Sequence, residues 1–351
     1  MAKSASLSDI FRRAADLEPA EHGGDLAAAR RLFPGAPEPF IDLSTGINPN
    51  PYPVSRFSAA AFGHLPDSTA ARTLTEIVAR AYGAPSAAHV VLAPGTQLLL
   101  PLIAGLMRPG RAAILPPTYG EFGRAAALAG HSVAQARELA AIGGARLVFV
   151  ANPNNPDGRL FDKNDLIALG RNLNARGGTL VVDEAFMDVG PAGASLAPEV
   201  SRSGIIVLRS FGKFFGLAGL RLGFAMAPPP TAARLSALLG PWAVSGPALA
   251  VATKALADWE WIEAARARLA KKARRLEAIL AGAGLQIVGA TILFRLARTS
   301  SAGELFHQLG RAGILARRFS DKPDWLRFGL PANEPAWQRL QIAMADFRRR
   351  G

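Results

Sequence analysis

Six apolar, β-branched runs recur between helical stretches through the middle of the chain: His89–Ala93, Ala112–Leu115, Arg146–Ala151, Thr179–Asp183, Gly204–Leu208 and Leu222–Met226. Their hydrophobicity is continuous rather than alternating, so both faces of each predicted strand are covered. Strands alternating with helices over about 150 residues predict a mainly parallel α/β sheet. Open sheets of this kind gather their ligands at the carboxyl ends of the strands. Beyond about Pro241 the texture changes. A long Arg-rich amphipathic helix over Trp259–Ala281 leads to short strands at 286–288 and Thr291–Leu296. A helix over Glu304–Arg311, a strand at Trp325–Gly329 and a closing helix over Pro335–Arg348 follow, a mixture that predicts a smaller α+β domain. The expected division is an arm over 1–45 that packs with the small domain, a large domain over 46–240 and a small domain over 241–351.

Composition narrows the class. Of the 351 residues 50% are apolar and 19% charged, which excludes general disorder. There is no cysteine, so disulfide frameworks, thiolate metal sites and cysteine nucleophiles are excluded together. The N-terminus lacks the apolar stretch of a secretory signal, and the longest apolar run, Leu98–Met107, falls short of the roughly 18 residues of a membrane span. These features predict a soluble, cytoplasmic protein with no membrane partner. The net charge of +13 rests on 33 Arg and 7 Lys, scattered and without a nucleic-acid-binding motif. Clusters at Lys271–Arg275 and Arg348–Arg350 read as a solvated helix face and a tail, so the charge points to an anionic small substrate.

The segments that follow the strands carry the chemistry. Gly95, Thr96 and Gln97 open a helix directly after a strand, where free backbone N–H groups make an anion site. Ser210 and Arg221 add a hydroxyl and a bidentate guanidinium for the same phosphate. Tyr119 is placed to stack on a flat ring, or is simply a half-buried loop residue. Asp183, at the end of a buried strand, needs a partner: a protonated pyridine nitrogen, a helix N-terminus or an arginine. Lys213 is flanked by Phe and Gly, which desolvates the amine and frees it for a Schiff base, unless it is a surface lysine beside a turn.

Taken in order, Thr96, Tyr119, Asn155, Asp183, Ser210, Lys213 and Arg221 resemble the fold-type I pyridoxal-phosphate enzymes of the class I/II aminotransferase superfamily. The matching signatures are Asn152-Pro-Asn-Asn-Pro-Asp-Gly158, Asp183-Glu-Ala185, Ser210-Phe-Gly-Lys213 and Gly219-Leu-Arg-Leu-Gly223. The resemblance implies pyridoxal 5′-phosphate as cofactor, with Lys213 carrying it and Asp183 pairing its ring nitrogen. It also implies Asn155 on the ring hydroxyl, and Ser210 and Arg221 on the phosphate. Phe186 stands where the family usually has a tyrosine on that ring hydroxyl. Leu65, in Gly63–Asp67, replaces a tyrosine that reaches the neighbouring subunit's phosphate; a homodimer is implied all the same.

Within the histidinol-phosphate aminotransferase-like branch, His22-Gly-Gly-Asp25 and Ile41–Pro49 resemble the threonine-phosphate decarboxylases of cobalamin biosynthesis. That resemblance implies decarboxylation of a phosphorylated amino acid, with His22, Gly46, Asn48 and Arg327 as substrate contacts and no metal. Arg327 matches a carboxylate-binding arginine of the aminotransferases and holds either the carboxylate or the phosphate. A histidinol-phosphate or related aminotransferase is the alternative. A regulator on the same fold is disfavoured, because the roughly 40 residues before Asp42 are too few for a winged helix and a linker.

Overall fold

A computed structural model describes residues 22–350; the secretory-signal expectation, and the arm before His22, lie outside the described residues. Seven strands form the main sheet: β2 Val90–Ala93, β3 Arg111–Ile114, β4 Ser132–Gln135, β5 Leu147–Ala151, β6 Thr179–Asp183, β7 Ile206–Ser210 and β8 Gly223–Met226. Their order is β2-β8-β7-β6-β5-β3-β4. Successive residues of one strand face opposite helix layers: Val148, Val150, Leu180 and Val182 enter one core, and Leu147, Phe149, Val181 and Leu208 the other. This two-sided burial is why the strands read as unbroken apolar runs.

The register sets the functional edge. Ala151 pairs with Asp183, Asp183 with Leu208, Ser210 with Gly223 and Gly223 with Ala93. Four strand ends and one strand start therefore lie within two residues of one level, and the segments leaving them line one cavity. The sheet is parallel except for β8, which runs antiparallel to both β7 and β2. The edge strand β4 has a polar, mostly exposed sequence and no apolar run to announce it. Strand β7 ends two residues later than its apolar pattern, on Ser210 itself.

A second, antiparallel sheet has the order β12-β13-β10-β9, with β9 Gln286–Thr291, β10 Phe294–Arg298, β12 Arg317–Arg318 and β13 Trp325–Gly329. Helices Trp259–Gly282, Ala302–Arg311 and Glu334–Arg350 accompany it. Residues 41–42 form β1, which pairs in parallel with β11, Ile314–Leu315. Phe33 packs so closely on Gly310 that a Cβ there would lie 2.2 Å from its ring.

The loop over 152–158 joins the two sheets backbone to backbone. The Ala290 N–H donates to the Asp157 carbonyl at 3.1 Å. A Cβ at Gly158 would lie 1.9 Å from the Ala290 carbonyl oxygen, and one at Gly289 2.3 Å from that of Asp157. Gly158 also has φ +72°, a region that side chains resist. Gly158→Ala is expected to cost about 2 kcal/mol or more, read as a lower urea midpoint. An unchanged midpoint would mean that the two segments separate without cost.

Candidate active site

Lys213 lies in a single helical turn, Phe211–Phe214, that begins where β7 ends. Aromatic rings back this turn: Phe211 and Phe215 stack at 4.5 Å between centroids, and Trp261 stacks on Phe215 at 5.7 Å. Lys213 itself lines the cavity at the carboxyl edge of the sheet. Burial pushes its ammonium down to about 8; Arg327 and Arg221 push the same way and Asp183 opposes them.

Asn48 holds the turn from outside. Its backbone N–H donates to the Lys213 carbonyl at 2.9 Å, its Nδ2 donates to the Phe214 carbonyl at 2.8 Å, and its Oδ1 accepts from Asn50 N–H at 2.9 Å. Asn48 is 2% exposed and lines neither cavity of the site. The expected substrate contact at Asn48 is therefore corrected: the amide faces the lysine turn.

Asp183 enters the same cavity from the end of β6. Its Oδ1 accepts from the Ala185 N–H at 3.0 Å. Burial raises its carboxyl to about 6, against the pull of that N–H and of Lys213. On the far side of the strand ends, the buried guanidinium of Arg209 pairs with Glu184 at 3.1 Å and Asp188 at 3.3 Å. That cluster joins the ends of β6 and β7 next to Asp183 and Ser210.

An anion cradle closes the other end of the cavity. Gly95, at φ +91°, turns tightly enough for its N–H to donate to the Ala93 carbonyl at 2.7 Å, and Thr96 starts the helix Thr96–Leu106. The guanidinium of Arg221 lies over Gly95, where a Cβ would come within 2.9 Å of Nη2. Ser210 lines the wall between them. Gln97 differs from expectation: its side chain donates to Glu121 at 2.6 Å and accepts from the Tyr119 hydroxyl at 2.9 Å, leaving only its N–H for the cradle. Burial, with Asp183 and Glu121 nearby, raises the Tyr119 phenol far above its ordinary range, so the hydroxyl stays protonated.

The three asparagines of the 152–158 loop divide the work. Asn152 accepts from Phe161 N–H at 3.0 Å, and Asn154 donates to the Pro117 carbonyl and to Asp157, both at 2.7 Å. Asn155 lines the cavity, and its Oδ1 accepts from Arg327 Nη1. Arg327 also donates through Nη2 to the Ser44 carbonyl at 2.7 Å, while its buried Nε has no partner among the described residues. Burial pushes its guanidinium down to about 10, Arg317 adds to this and Asp42 opposes it. Even so, the group stays charged at neutral pH.

A second cavity meets the first at Lys213, Asn155 and Tyr119, and is lined by His22, Gly46, Arg317 and Arg327. Gly46 lies against Phe186 and Phe294, where a Cβ would sit 2.9 and 3.1 Å from the rings; its smallness admits those rings as well as a ligand. Arg317, which lines this cavity, and Glu121, which bonds Gln97 and faces His22 behind the linings, are not anticipated from the sequence. Arg317 reads there as half of an arginine pair, and Glu121 as an ordinary first-turn acid. Leu65 and the adjacent His64 are exposed, away from the cavity linings.

The donor set fits pyridoxal 5′-phosphate: a desolvated amine, a carboxylate for a pyridinium nitrogen, and a helix start with a serine and an arginine for a phosphate. The pattern of the aminotransferase class I and II family matches residues 59–339. A threonine-phosphate decarboxylase of Pseudomonas aeruginosa is 40% identical over 331 residues, 93% of this chain and 98% of that one. Another from Sinorhizobium sp. is 42% identical over 332 residues, with the same coverage. A histidinol-phosphate aminotransferase of Shewanella amazonensis is more distant, at 29% over 78% of this chain and 80% of its own. Among solved structures, the histidinol-phosphate aminotransferase of Sinorhizobium meliloti in complex with pyridoxal-5′-phosphate aligns with a TM-score of 0.81 at 20% identity, covering 99% of this chain and 100% of that one.

With the Lys213 amine at about 8, roughly a tenth is neutral at pH 7 and half at pH 8. The neutral amine is the nucleophile, so the initial rate of pyridoxal-phosphate loading should rise about fivefold between pH 7 and 8 and level off near pH 9. Absorbance after stopped-flow mixing reads it. A rate still climbing through pH 10 would mean an unperturbed lysine, and a borohydride-reducible lysine adduct persisting in Lys213→Ala would assign the wrong one.

Proposed function

The chain belongs to the class I and II aminotransferase family, and we propose that within it the protein decarboxylates L-threonine O-3-phosphate to (R)-1-amino-2-propanol O-phosphate and carbon dioxide, a step of cobalamin biosynthesis. The observation that carries this reading is the pair of cavities that meet at Lys213. One offers a single anion cradle, for the cofactor. The other offers the guanidiniums of Arg327 and Arg317 together with the His22 imidazole, which suits a substrate with two anionic ends. The two decarboxylases at 40% and 42% identity support the same substrate class.

When bound, pyridoxal phosphate supplies an electron sink for the pair left behind as the carboxylate departs. The rest falls to this chain's side chains. Asp183, ionised above about 6, pairs the ring nitrogen, and Gly95, Thr96 and the Gln97 N–H, with Ser210 and Arg221, hold the phosphate. Tyr119 walls the ring face. Asn155 has its oxygen turned to Arg327, so its NH2 is the group left for the ring hydroxyl. Phe186 carries no hydroxyl for that position; its ring faces Lys213 Nζ at 5.8 Å.

Reaction choice rests on which bond at the substrate carbon stands perpendicular to the ring, and the cations of the second cavity set that pose. Arg327, held by Asn155 and Ser44, takes the carboxylate or the phosphate; His22 and Arg317 take the other anionic group. Carbon dioxide leaves and a proton replaces it, with Lys213 placed to deliver that proton. No oxidant or keto acid enters the balance. We further read residues 46–240 as the large domain, 241–351 as the small one and 1–45 as the arm. The working form is proposed to be a cytoplasmic homodimer; no helix of the described residues is long and apolar enough to cross a membrane.

The test is a product assay on L-threonine O-3-phosphate with and without 2-oxoglutarate. Carbon dioxide and aminopropanol phosphate should form without keto acid, whereas glutamate formed only with 2-oxoglutarate would move the chain to the aminotransferases. Arg327→Ala should lower kcat/KM at least a hundredfold, the loss of a charge-paired, bidentate contact worth about 3 kcal/mol. A loss under fivefold would remove Arg327 from the substrate site.

A further inference from the structure

Glu121 is a buried carboxylate that the proposed reaction does not use, although its partners Gln97 and His22 line the first and the second cavity. It is the first residue of the helix Glu121–Leu128 and is 3% exposed. Its Oε2 accepts from Gln97 Nε2 at 2.6 Å and from Arg124 Nη1 at 3.3 Å; its Oε1 faces His22 Nε2 at 3.3 Å. His22 comes from 99 residues earlier in the chain and lines the second cavity, its ring 5.8 Å from that of Tyr119. Through Gln97, whose oxygen accepts from the Tyr119 hydroxyl, the same carboxylate reaches the wall of the first cavity.

We propose that Glu121 is a positioning residue: its carboxylate holds the Nε2–H of His22, so that Nδ1, protonated when the phosphorylated substrate binds, donates a charge-assisted hydrogen bond to a substrate oxygen, and it orients Gln97 to hold Tyr119. The proposal rests on the substrate reading above. Its physical basis is the acceptor-only chemistry of a carboxylate. Both oxygens of Glu121 accept, so Gln97 must turn its NH2 toward Glu121 and its carbonyl toward Tyr119, and the nitrogen of His22 that faces Glu121 must carry hydrogen. A carboxylate behind an imidazole fixes the ring's tautomer and its orientation together. His22 gains from that support, because its side chain is 47% exposed.

Glu121→Gln keeps the shape and changes the logic. One amide oxygen cannot serve both neighbours; directed at Gln97, it leaves the new NH2 facing His22, so Nε2 becomes the acceptor and the imidazole proton moves to Nδ1. In the holoenzyme labelled with 15N-histidine, wild-type His22 should show its proton on Nε2 and Glu121→Gln should show it on Nδ1. In steady state, Glu121→Gln should raise KM for L-threonine O-3-phosphate roughly three- to tenfold with kcat nearly unchanged. In a His22→Ala background the same change should add little. A purely structural role would lower kcat and holoenzyme stability and leave the tautomer alone.

The proposal is overturned if wild-type His22 carries its proton on Nδ1, if the tautomer is the same in Glu121→Gln, or if the KM effects of the two substitutions multiply. Should Glu121→Gln fail to fold, the wild-type spectrum decides alone. Should wild type not turn over L-threonine O-3-phosphate, the substrate reading fails, while the Glu121-dependent tautomer is still read from the spectra.

Discussion

Burying an amine that prefers to be charged is unfavourable, and most of the architecture around Lys213 is arranged to keep that amine in place nonetheless. The stacked rings of Phe211, Phe215 and Trp261 take water away from one side, and the Arg327 and Arg221 guanidiniums add repulsion from the other. Asp183 alone pulls the other way, and it too is strained by burial, with a carboxyl raised to about 6. In isolation neither group would tolerate the site. What holds them is rigid: paired strand ends, the Arg209 cluster behind them and the Asn48 clamp on the lysine turn. A pyridoxal phosphate placed between the two relieves both, since its ring nitrogen answers Asp183 and its aldehyde carbon answers Lys213.

The legible parts of the fold were those whose cause is local. Two-sided burial writes a continuous apolar run, so five of the seven main strands are legible to within about one residue, and β7 is shifted two residues toward Ser210. Edge strand β4 has no buried face and wrote no such run. The reversed direction of β8 depends on where the preceding segment 211–222 returns, which no pattern within the strand records. Residues of the site divide in the same way. Gly95, Thr96, Asp183, Ser210, Lys213 and Arg221 lie at strand ends or on the turns beside them, and line the first cavity together. Asn48 and Gln97 were placed in the right region, but an amide looks the same in sequence whether it faces a ligand or a neighbouring turn. Arg317 and Glu121 gain meaning only from partners far away in the chain.

Phe186 shows how one replacement spreads. Without a hydroxyl, the ring turns its edge to Phe294 at 5.2 Å and its tip to Gly46, so the bond from its position to the cofactor is exchanged for an apolar wall between the cavities. The orientation of Asn155 depends on Arg327, so the wall of the first cavity is coupled to that of the second.

The seam between the two sheets has one more consequence. At Gly158 and Gly289 the contact is peptide group against peptide group, with no side chain between to rotate and absorb a displacement. The 152–158 loop thus acts as the fixed jaw of a calliper. Asn155 is mounted on it, Arg327 is mounted on β13 of the opposite sheet, and the two side chains meet in a direct hydrogen bond. A ligand that reaches both residues therefore meets a pair whose supports cannot part without breaking that peptide-to-peptide seam.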